Sequence, residues 1–320
     1  MRAIRIVTSH EDGGDTKKAT TQRLVLLTMP VPKETPGTVL VQIKAVAINP
    51  SDAANSRGYF PHTTLPRTPG RDWAGIVVSK GHILTGQRVF GTSGRHMGFT
   101  FDGPSAEYCA IPEAGLVPLP RSISFTQAAT LGVPWTTAYL MLKRVAVSST
   151  DVVLVVGSSG AVGSAACQLA KARGCRIITA ARRQFADIDL SEGPGAFGNI
   201  STMTSGPGPD VVLDTVGSPE LMDLALKSLR VGGRLAYISA PKSYNAQFSF
   251  DMKSLYRTEK SIVGCNSLQH DIKEMNDILR ELAPSFGSRG TYSMPDPDEI
   301  TAVGMDRALE MYEQTFMIGV

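Results

Sequence analysis

Three glycines recur at three-residue spacing in Gly157-Ser158-Ser159-Gly160-Ala161-Val162-Gly163, directly between an aliphatic run and a stretch of helical periodicity. Glycine permits the tight backbone angles of a strand-to-helix turn and lets main chain approach a ligand closely. The helix that follows offers unpaired N–H groups and the positive end of its dipole to an anion. The turn therefore suits the pyrophosphate of a dinucleotide, although its front spacing is one residue wider than the commonest fingerprint. An ordinary strand-to-helix turn is the plainer alternative. About 20 residues further on, an acidic side chain normally accepts hydrogen bonds from the ribose of NAD. Here Ile177-Ile178-Thr179-Ala180-Ala181 runs into Arg182-Arg183 instead. Two guanidinium groups suit a 2′-phosphate, so NADP(H) is expected over NAD(H), against the alternative of a solvated basic strand end.

Other chemistries find little support. His10, His62, His82, His96 and His270 show no H-x-x-x-H spacing, and Cys109, Cys167, Cys175 and Cys265 form no C-x-x-C pair. Neither a zinc motif nor a disulfide framework is written in the chain, and no G-x-S-x-G elbow surrounds a serine.

The elements around the turn follow from periodicity. Val152–Val156 reads as a buried strand, and Val162, Ala165, Ala166, Leu169 and Ala170 give one apolar helix face that ends at Gly174. Strands are expected at Arg176–Ala181, Asp210–Asp214 and Arg234–Ile238, with a helix through Met222, Ala225, Leu226 and Leu229 between the last two. This alternation implies a parallel sheet. Before Ser124 the chain is rich in β-branched residues and turn formers, with strands expected within Val39–Val46 and at Ala74–Val78, Gln87–Phe90 and Ala106–Ile111 in a small barrel-like packing. Closing helices are expected through Met275, Ile278, Leu279 and Leu282, and through Met305, Ala308, Leu309 and Tyr312.

Composition sets the outer bounds. The 320 residues are 42% hydrophobic and 19% charged, with 32 basic and 29 acidic side chains giving +3, a globular balance that argues against extended disorder. Basic residues are dispersed, so nucleic acid is not an expected partner. No aliphatic run approaches the roughly 20 residues of a membrane span, and no secretory signal leads the chain, so the expected location is the cytosol.

Several segments together carry a family pattern: Ala47-Ile48-Asn49-Pro50-Ser51-Asp52, Pro69-Gly70-Arg71-Asp72-Trp73-Ala74-Gly75, Gly103-Pro104-Ser105-Ala106-Glu107-Tyr108, Leu131-Gly132-Val133-Pro134-Trp135-Thr136-Thr137-Ala138-Tyr139, the glycine turn, and Asp210-Val211-Val212-Leu213-Asp214-Thr215-Val216-Gly217. The chain resembles the medium-chain dehydrogenase/reductase superfamily, in its zinc-independent quinone oxidoreductase and enoyl reductase branch. The resemblance implies an α/β protein. A GroES-like β-rich catalytic domain over 1–122, completed by 265–320, would flank a Rossmann domain with a doubly wound parallel sheet over 123–264, and the active site would lie in the cleft between them. Zinc-dependent relatives carry Cys where Asn49 stands and His where Arg71 stands, so no metal is expected.

The same resemblance implies site residues. Asn49 is similar to the family's polar residue beside nicotinamide and substrate carbonyl, with turn capping as its plainer role. Tyr59 stands near a position where related enoyl reductases have a proton-donating tyrosine, in a register shifted by one. Thr137 resembles the threonine near the nicotinamide ribose. Val216, Gly217, Ser239, Ala240 and Pro241 would flank the cofactor, and Cys265-Asn266 resembles the segment that reads the nicotinamide amide. Arg71 and Asp72 are expected to form a structural ion pair.

Residues 184–210 are too few and too rich in Gly and Pro for the usual strand–helix unit, and the C-terminal segment lacks the closing strand of the family. The expected function is reduction of an activated C=C bond or a quinone by NADPH. The alternatives are a redox-neutral isomerase or cyclase on the same fold, and a non-catalytic NADPH-binding sensor. Expected partners are a small-molecule substrate and either a second copy of the chain or, for a trans-acting enoyl reductase, a synthase chain.

Overall fold

A computed structural model describes residues 1–10, 20–182, 185–241, 246–287 and 290–318. The chain divides into one unit of Met1–Val133 with Ser267–Val320 and a second of Pro134–Asn266.

The first unit holds strands β1 (Arg2–His10), β2 (Thr20–Thr28) and β3 (Thr38–Ala47), helix α1 (Pro50–Ser56), strands β4 (Asp72–Val77), β5 (Arg88–Gly91), β6 (Tyr108–Pro112) and β7 (Val117–Pro118), and helix α2 (Phe125–Ala129). The second unit contains most of α3 (Gly132–Arg144), then β8 (Val152–Val156), α4 (Ala161–Ala172), β9 (Arg176–Ala181), β10 (Ile188–Asp189), α5 (Ile200–Met203), β11 (Val211–Asp214), α6 (Pro219–Ser228), β12 (Arg234–Tyr237), α7 (Met252–Arg257) and β13 (Ser261–Gly264). Helices α8 (Ile272–Leu282) and α9 (Ala308–Ile318) return to the first unit.

In the first unit β6-β3-β4-β5-β7 form an antiparallel sheet, and β1 and β2 pair separately from Arg2↔Thr28 to His10↔Thr20. The barrel-like closure expected from the sequence is partial. Single bridges, Ala3↔Ala106 and Ile6↔Arg67, join the hairpin to neighbouring segments in place of a continuous ladder. Val39, Val41, Trp73, Val89 and Ile111 meet in the core of this sheet. Helix α1 starts where Pro50 occupies the first turn, a position whose missing N–H costs the helix nothing. It packs Ala53 against Ile4 and Tyr312, with Leu309 and Phe316 of α9 alongside.

In the second unit all six strands run parallel in the order β10-β9-β8-β11-β12-β13. Counted from β8 as the first strand, this is 3-2-1-4-5-6, the doubly wound order whose chain reversal lies between β8 and β11. Val153 to Val156 are fully buried, as expected for a parallel strand covered on both faces. Residues 185–210 form an abbreviated crossover. The two-residue β10 is followed by 3₁₀ turns over Leu190–Phe197, which bend at Gly193, and by the one-turn helix α5. After Tyr312 the described chain continues as helix to Ile318.

Candidate functional site

Unit two gathers its site at the carboxyl ends of the strands. Gly157 leaves β8 at φ +81° and donates its N–H to Ala180 of β9 at 2.8 Å. A Cβ at Gly157 would lie 2.4 Å from Thr215 Oγ1, and one at Gly163 would lie 2.1 Å from the Gly157 carbonyl. Strand, turn and helix therefore meet at a distance only glycine allows. At Gly160 the space is open, the nearest neighbour of an added Cβ being the Gly157 oxygen at 3.4 Å. Gly160 is the N-cap of α4 and provides no side-chain cap, so the N–H groups of Ala161, Val162 and Gly163 have no acceptor among the described residues. Ser158 spends its hydroxyl on the Ala180 carbonyl at 3.3 Å, and Ser159 completes the turn.

Neighbouring strand ends complete the rim. Asp214 closes β11 by accepting the N–H groups of Val216 (2.8 Å) and Gly217 (3.1 Å) on Oδ1, which fixes that turn. Its Oδ2 is buried without a partner among the described residues, and burial pushes the carboxyl above the ordinary range against those two bonds. Thr215 anchors the same turn to β8 through the Val156 carbonyl at 2.9 Å. A Cβ on Gly217 would meet Ser239 and Ala240 backbone at 2.3 to 2.8 Å, so the segments 216–217 and 239–241, the latter ending at Pro241, are in direct contact. Cys265 follows β13 and donates its N–H to Tyr237 of β12, with exposed Asn266 next. Thr137 in α3 is buried and its Oγ1 is an orphan among the described residues.

Arg182 is exposed just past β9, whereas Arg183 lies outside the described residues. The carboxylate that follows, Asp187, is held by the N–H and hydroxyl of Thr179 in mid-strand, both at 2.8 Å, and not at the strand end. Free helix-start donors, a glycine cradle and an exposed arginine fit a phosphorylated dinucleotide.

The first unit carries a buried polar cluster. Asn49 is the N-cap of α1; its N–H donates to Asp52 Oδ2 at 2.8 Å and its side-chain Nδ2 to Asp72 Oδ2 at 3.0 Å. Asp72 also accepts the Thr92 hydroxyl at 2.5 Å and the Val133 N–H at 2.8 Å. The expected direct Arg71–Asp72 ion pair does not form. Neighbouring residues at the start of a strand project to opposite faces, and Arg71 donates to Ser51, Ser93 and Ser267. Burial lowers the Arg71 pKa, while the charges of Asp52 and Asp72 oppose the fall. Asn49 thus performs the capping role, and its side-chain amide is shared between Asp72 and Asp52. Tyr59 is 47% exposed and rests against Phe316 of α9, ring centroids 5.8 Å apart. It follows the far end of α1, with about 10 Å of helix between it and Asn49.

The cluster does not fit zinc. Arginine is a donor-only cation, and the Asn49 amide is turned to Asp72 as a donor, where a metal requires lone pairs. No group of three His, Cys, Asp or Glu among the described residues is arranged to hold a metal ion, and no described helix is long and apolar enough to cross a membrane.

Comparison with known proteins agrees with this geometry. Residues 35–121 match the family described as alcohol dehydrogenase GroES-like domain, and 161–281 match the one described as zinc-binding dehydrogenase. A zinc-type alcohol dehydrogenase-like protein of Schizosaccharomyces pombe is 49% identical over 81% of this chain and 78% of its own length. A quinone oxidoreductase of Sus scrofa is 32% identical over 66% of this chain and 67% of its own. The solved quinone oxidoreductase of Thermus thermophilus, also known in complex with NADPH, shares the fold at a TM-score of 0.72, with 24% identity over 100% of this chain and 97% of that one. With a GroES-like segment, a 3-2-1-4-5-6 dinucleotide sheet and these relatives, the chain belongs to the medium-chain dehydrogenase/reductase superfamily of oxidoreductases, in its quinone oxidoreductase-like branch.

Proposed function

We propose that the protein is an NADPH-dependent, zinc-independent reductase of conjugated C=C bonds or quinones. The observation that carries this reading is the set of free N–H donors at Ala161 to Gly163 above the glycine cradle, with exposed Arg182 where NAD-specific sheets place a carboxylate. When bound, the reduced dinucleotide supplies a hydride. The chain's own residues do the remainder. Helix α4 holds the diphosphate through its first-turn N–H groups, and Arg182 pairs with the 2′-phosphate. Asp214 and Gly217 fix the turn that borders the site, and the Thr137 hydroxyl is free to bond the nicotinamide-side ribose.

Hydride addition to a conjugated carbon drives an electron pair onto the acceptor oxygen, so the catalytic need is a hydrogen-bond donor aimed at a developing oxyanion. The side-chain amide of Asn49 is assigned that role. A carbonyl-to-alcohol reduction has a greater need of a Lewis acid, which the Asn49–Arg71 donor set does not provide.

The test is NADPH oxidation against small enones, quinones and enoyl thioesters, run beside calorimetric titration with NADPH and NADH. Binding of NADPH with turnover of at least one acceptor is expected. Binding without turnover of any acceptor, or a product of unchanged mass, overturns the reductase assignment.

A further inference from the structure

Beneath α1 the chain buries two carboxylates against one cation. Asp52, Arg71 and Asp72 are at most 2% exposed. Arg71 spends its contacts on the hydroxyls of Ser93 (2.9 Å), Ser51 (3.1 Å) and Ser267 (3.2 Å), so neither carboxylate is directly paired. With both ionised the cluster sums to one negative charge, and with one proton added it is neutral, the state that burial favours. Asp72 accepts from Asn49, Thr92 and Val133, three residues whose donors stabilise its ionised form, whereas among the described residues Asp52 accepts from Asn49 alone, through backbone and side chain. The proton therefore belongs on Asp52. Burial pushes Asp52 up to about 7, Arg71 working against the rise and Asp72 adding to it; burial raises Asp72 as well, but there Arg71 and three hydrogen-bonding partners oppose it.

Among the described residues, the contacts that the other elements make with Ala53 of α1 are chiefly apolar. Strands β1 and β2 present Ile4, Leu24 and Leu26. Helix α9 presents Tyr312, whose phenol bonds Ser105 at 3.0 Å and is raised by burial and by Asp52, so it stays neutral. Arg57 and Glu313 neutralise one another at 3.4 Å in solvent. A cavity of about 550 Å³ in this unit is lined by Ser105 and Tyr312 among others.

We propose that Asp52 is a proton-dependent positioning residue: carrying its proton, it leaves the cluster neutral so that the Asn49 amide can meet an acceptor oxygen gaining negative charge, and losing that proton, it opposes that charge. This rests on the reductase reading. In that reaction a hydride forms the new C–H bond, the displaced π pair moves to oxygen, and a solvent proton completes the product. Asp52 is neither donor nor acceptor to substrate.

The experiment measures kcat/KM with NADPH and a small naphthoquinone from pH 6 to 9, in wild type and Asp52→Asn. Wild-type activity should fall above pH 7, approaching tenfold per pH unit, and the fall should be absent in the variant. A second readout uses ligand-free protein. A carboxyl raised from its unfolded value of 3.8 contributes stability that is complete below that value and is lost as pH rises through the folded one. The midpoint of thermal unfolding of Asp52→Asn should therefore gain on wild type between pH 5 and 7.5. A limb that persists in Asp52→Asn, or a difference in midpoints that does not move with pH, overturns the proposal. Absence of turnover in wild type ends the reductase reading and the positioning role with it, while a moving midpoint difference would still place the proton on Asp52.

Discussion

Replacing Gly160 and Gly163 separately by alanine distinguishes a ligand cradle from a merely tight turn. Alanine favours a helix interior by about 1 kcal/mol over glycine, so a Gly163→Ala change on an open helix would stabilise it. Here the new Cβ would stand 2.1 Å from the Gly157 carbonyl, a backbone atom that cannot rotate away. Separation by more than about 1 Å is required, which belongs at the upper end of the ~1–3 kcal/mol cost of overpacking. The balance is a loss of about 2 kcal/mol, or a fall of roughly 4–10 °C in Tm for a unit of this size. At Gly160 the added methyl meets only the Gly157 oxygen at 3.4 Å, and its free side is the open space at the start of α4. Gly160→Ala should lower Tm by no more than about 4 °C, since an alanine N-cap costs roughly 0.5–1 kcal/mol beyond a glycine one. Yet it should weaken NADPH at least about tenfold, which is about 1.4 kcal/mol, by standing where phosphate must approach the N–H donors. Differential scanning calorimetry and titration calorimetry on the pair read both quantities. Wild-type NADPH affinity in Gly160→Ala would refute the placement of the diphosphate, and an unchanged Tm in Gly163→Ala would refute the steric argument.

Three further outcomes follow from the same geometry. Arg182→Ala should weaken NADPH by about tenfold and leave NADH nearly unchanged, the loss of one charge-assisted contact, as measured by parallel titrations; equal losses for both nucleotides would remove Arg182 from the 2′-phosphate. Asp72→Asn turns an acceptor of three buried bonds partly into a donor facing donors, and should cost about 3–5 kcal/mol in urea unfolding; a loss below about 1 kcal/mol would show that the Asn49–Thr92–Val133 network is not held by this carboxylate. Prolonged chelator treatment should leave kcat and Tm unchanged, and elemental analysis should find less than about 0.1 zinc per chain; a stoichiometric metal lost together with activity contradicts the donor-set argument.

Legibility in the sequence followed the kind of force involved. Val152–Val156 and Arg176–Ala181 were readable to the residue because buried parallel strands need continuous apolar runs, and α4 because its apolar face repeats at helical spacing. The glycine turn was readable because close approach at Gly157 and Gly163 leaves no other residue possible. The β1–β2 hairpin was not, since its turn signal, Asp12-Gly13-Gly14, sits in a long charged stretch between the strands and not in a two-residue loop, and only the long register from Arg2↔Thr28 onward reveals it. Helix α1 was hidden within a proline-initiated motif of seven residues, shorter than any periodicity test. Adjacent Arg71 and Asp72 suggested a pair, but side-chain alternation at a strand start sends them to different partners, and that was knowable only with the direction of β4. Asp52 and Asp214 lie within the family segments, but nothing local assigned either a role. What distinguishes them from other aspartates is burial beside particular backbone N–H groups, which no local pattern encodes.

The two-residue β10 sets a border to the dinucleotide-binding sheet. Only Ile188 and Asp189 extend the ladder beyond β9 before the chain bends away at Gly193. So brief a margin gives an approaching polypeptide almost no template to copy. Runaway edge-to-edge growth, the hazard of every open sheet, is blocked there by brevity, and the charge of Asp189 in the strand itself reinforces it.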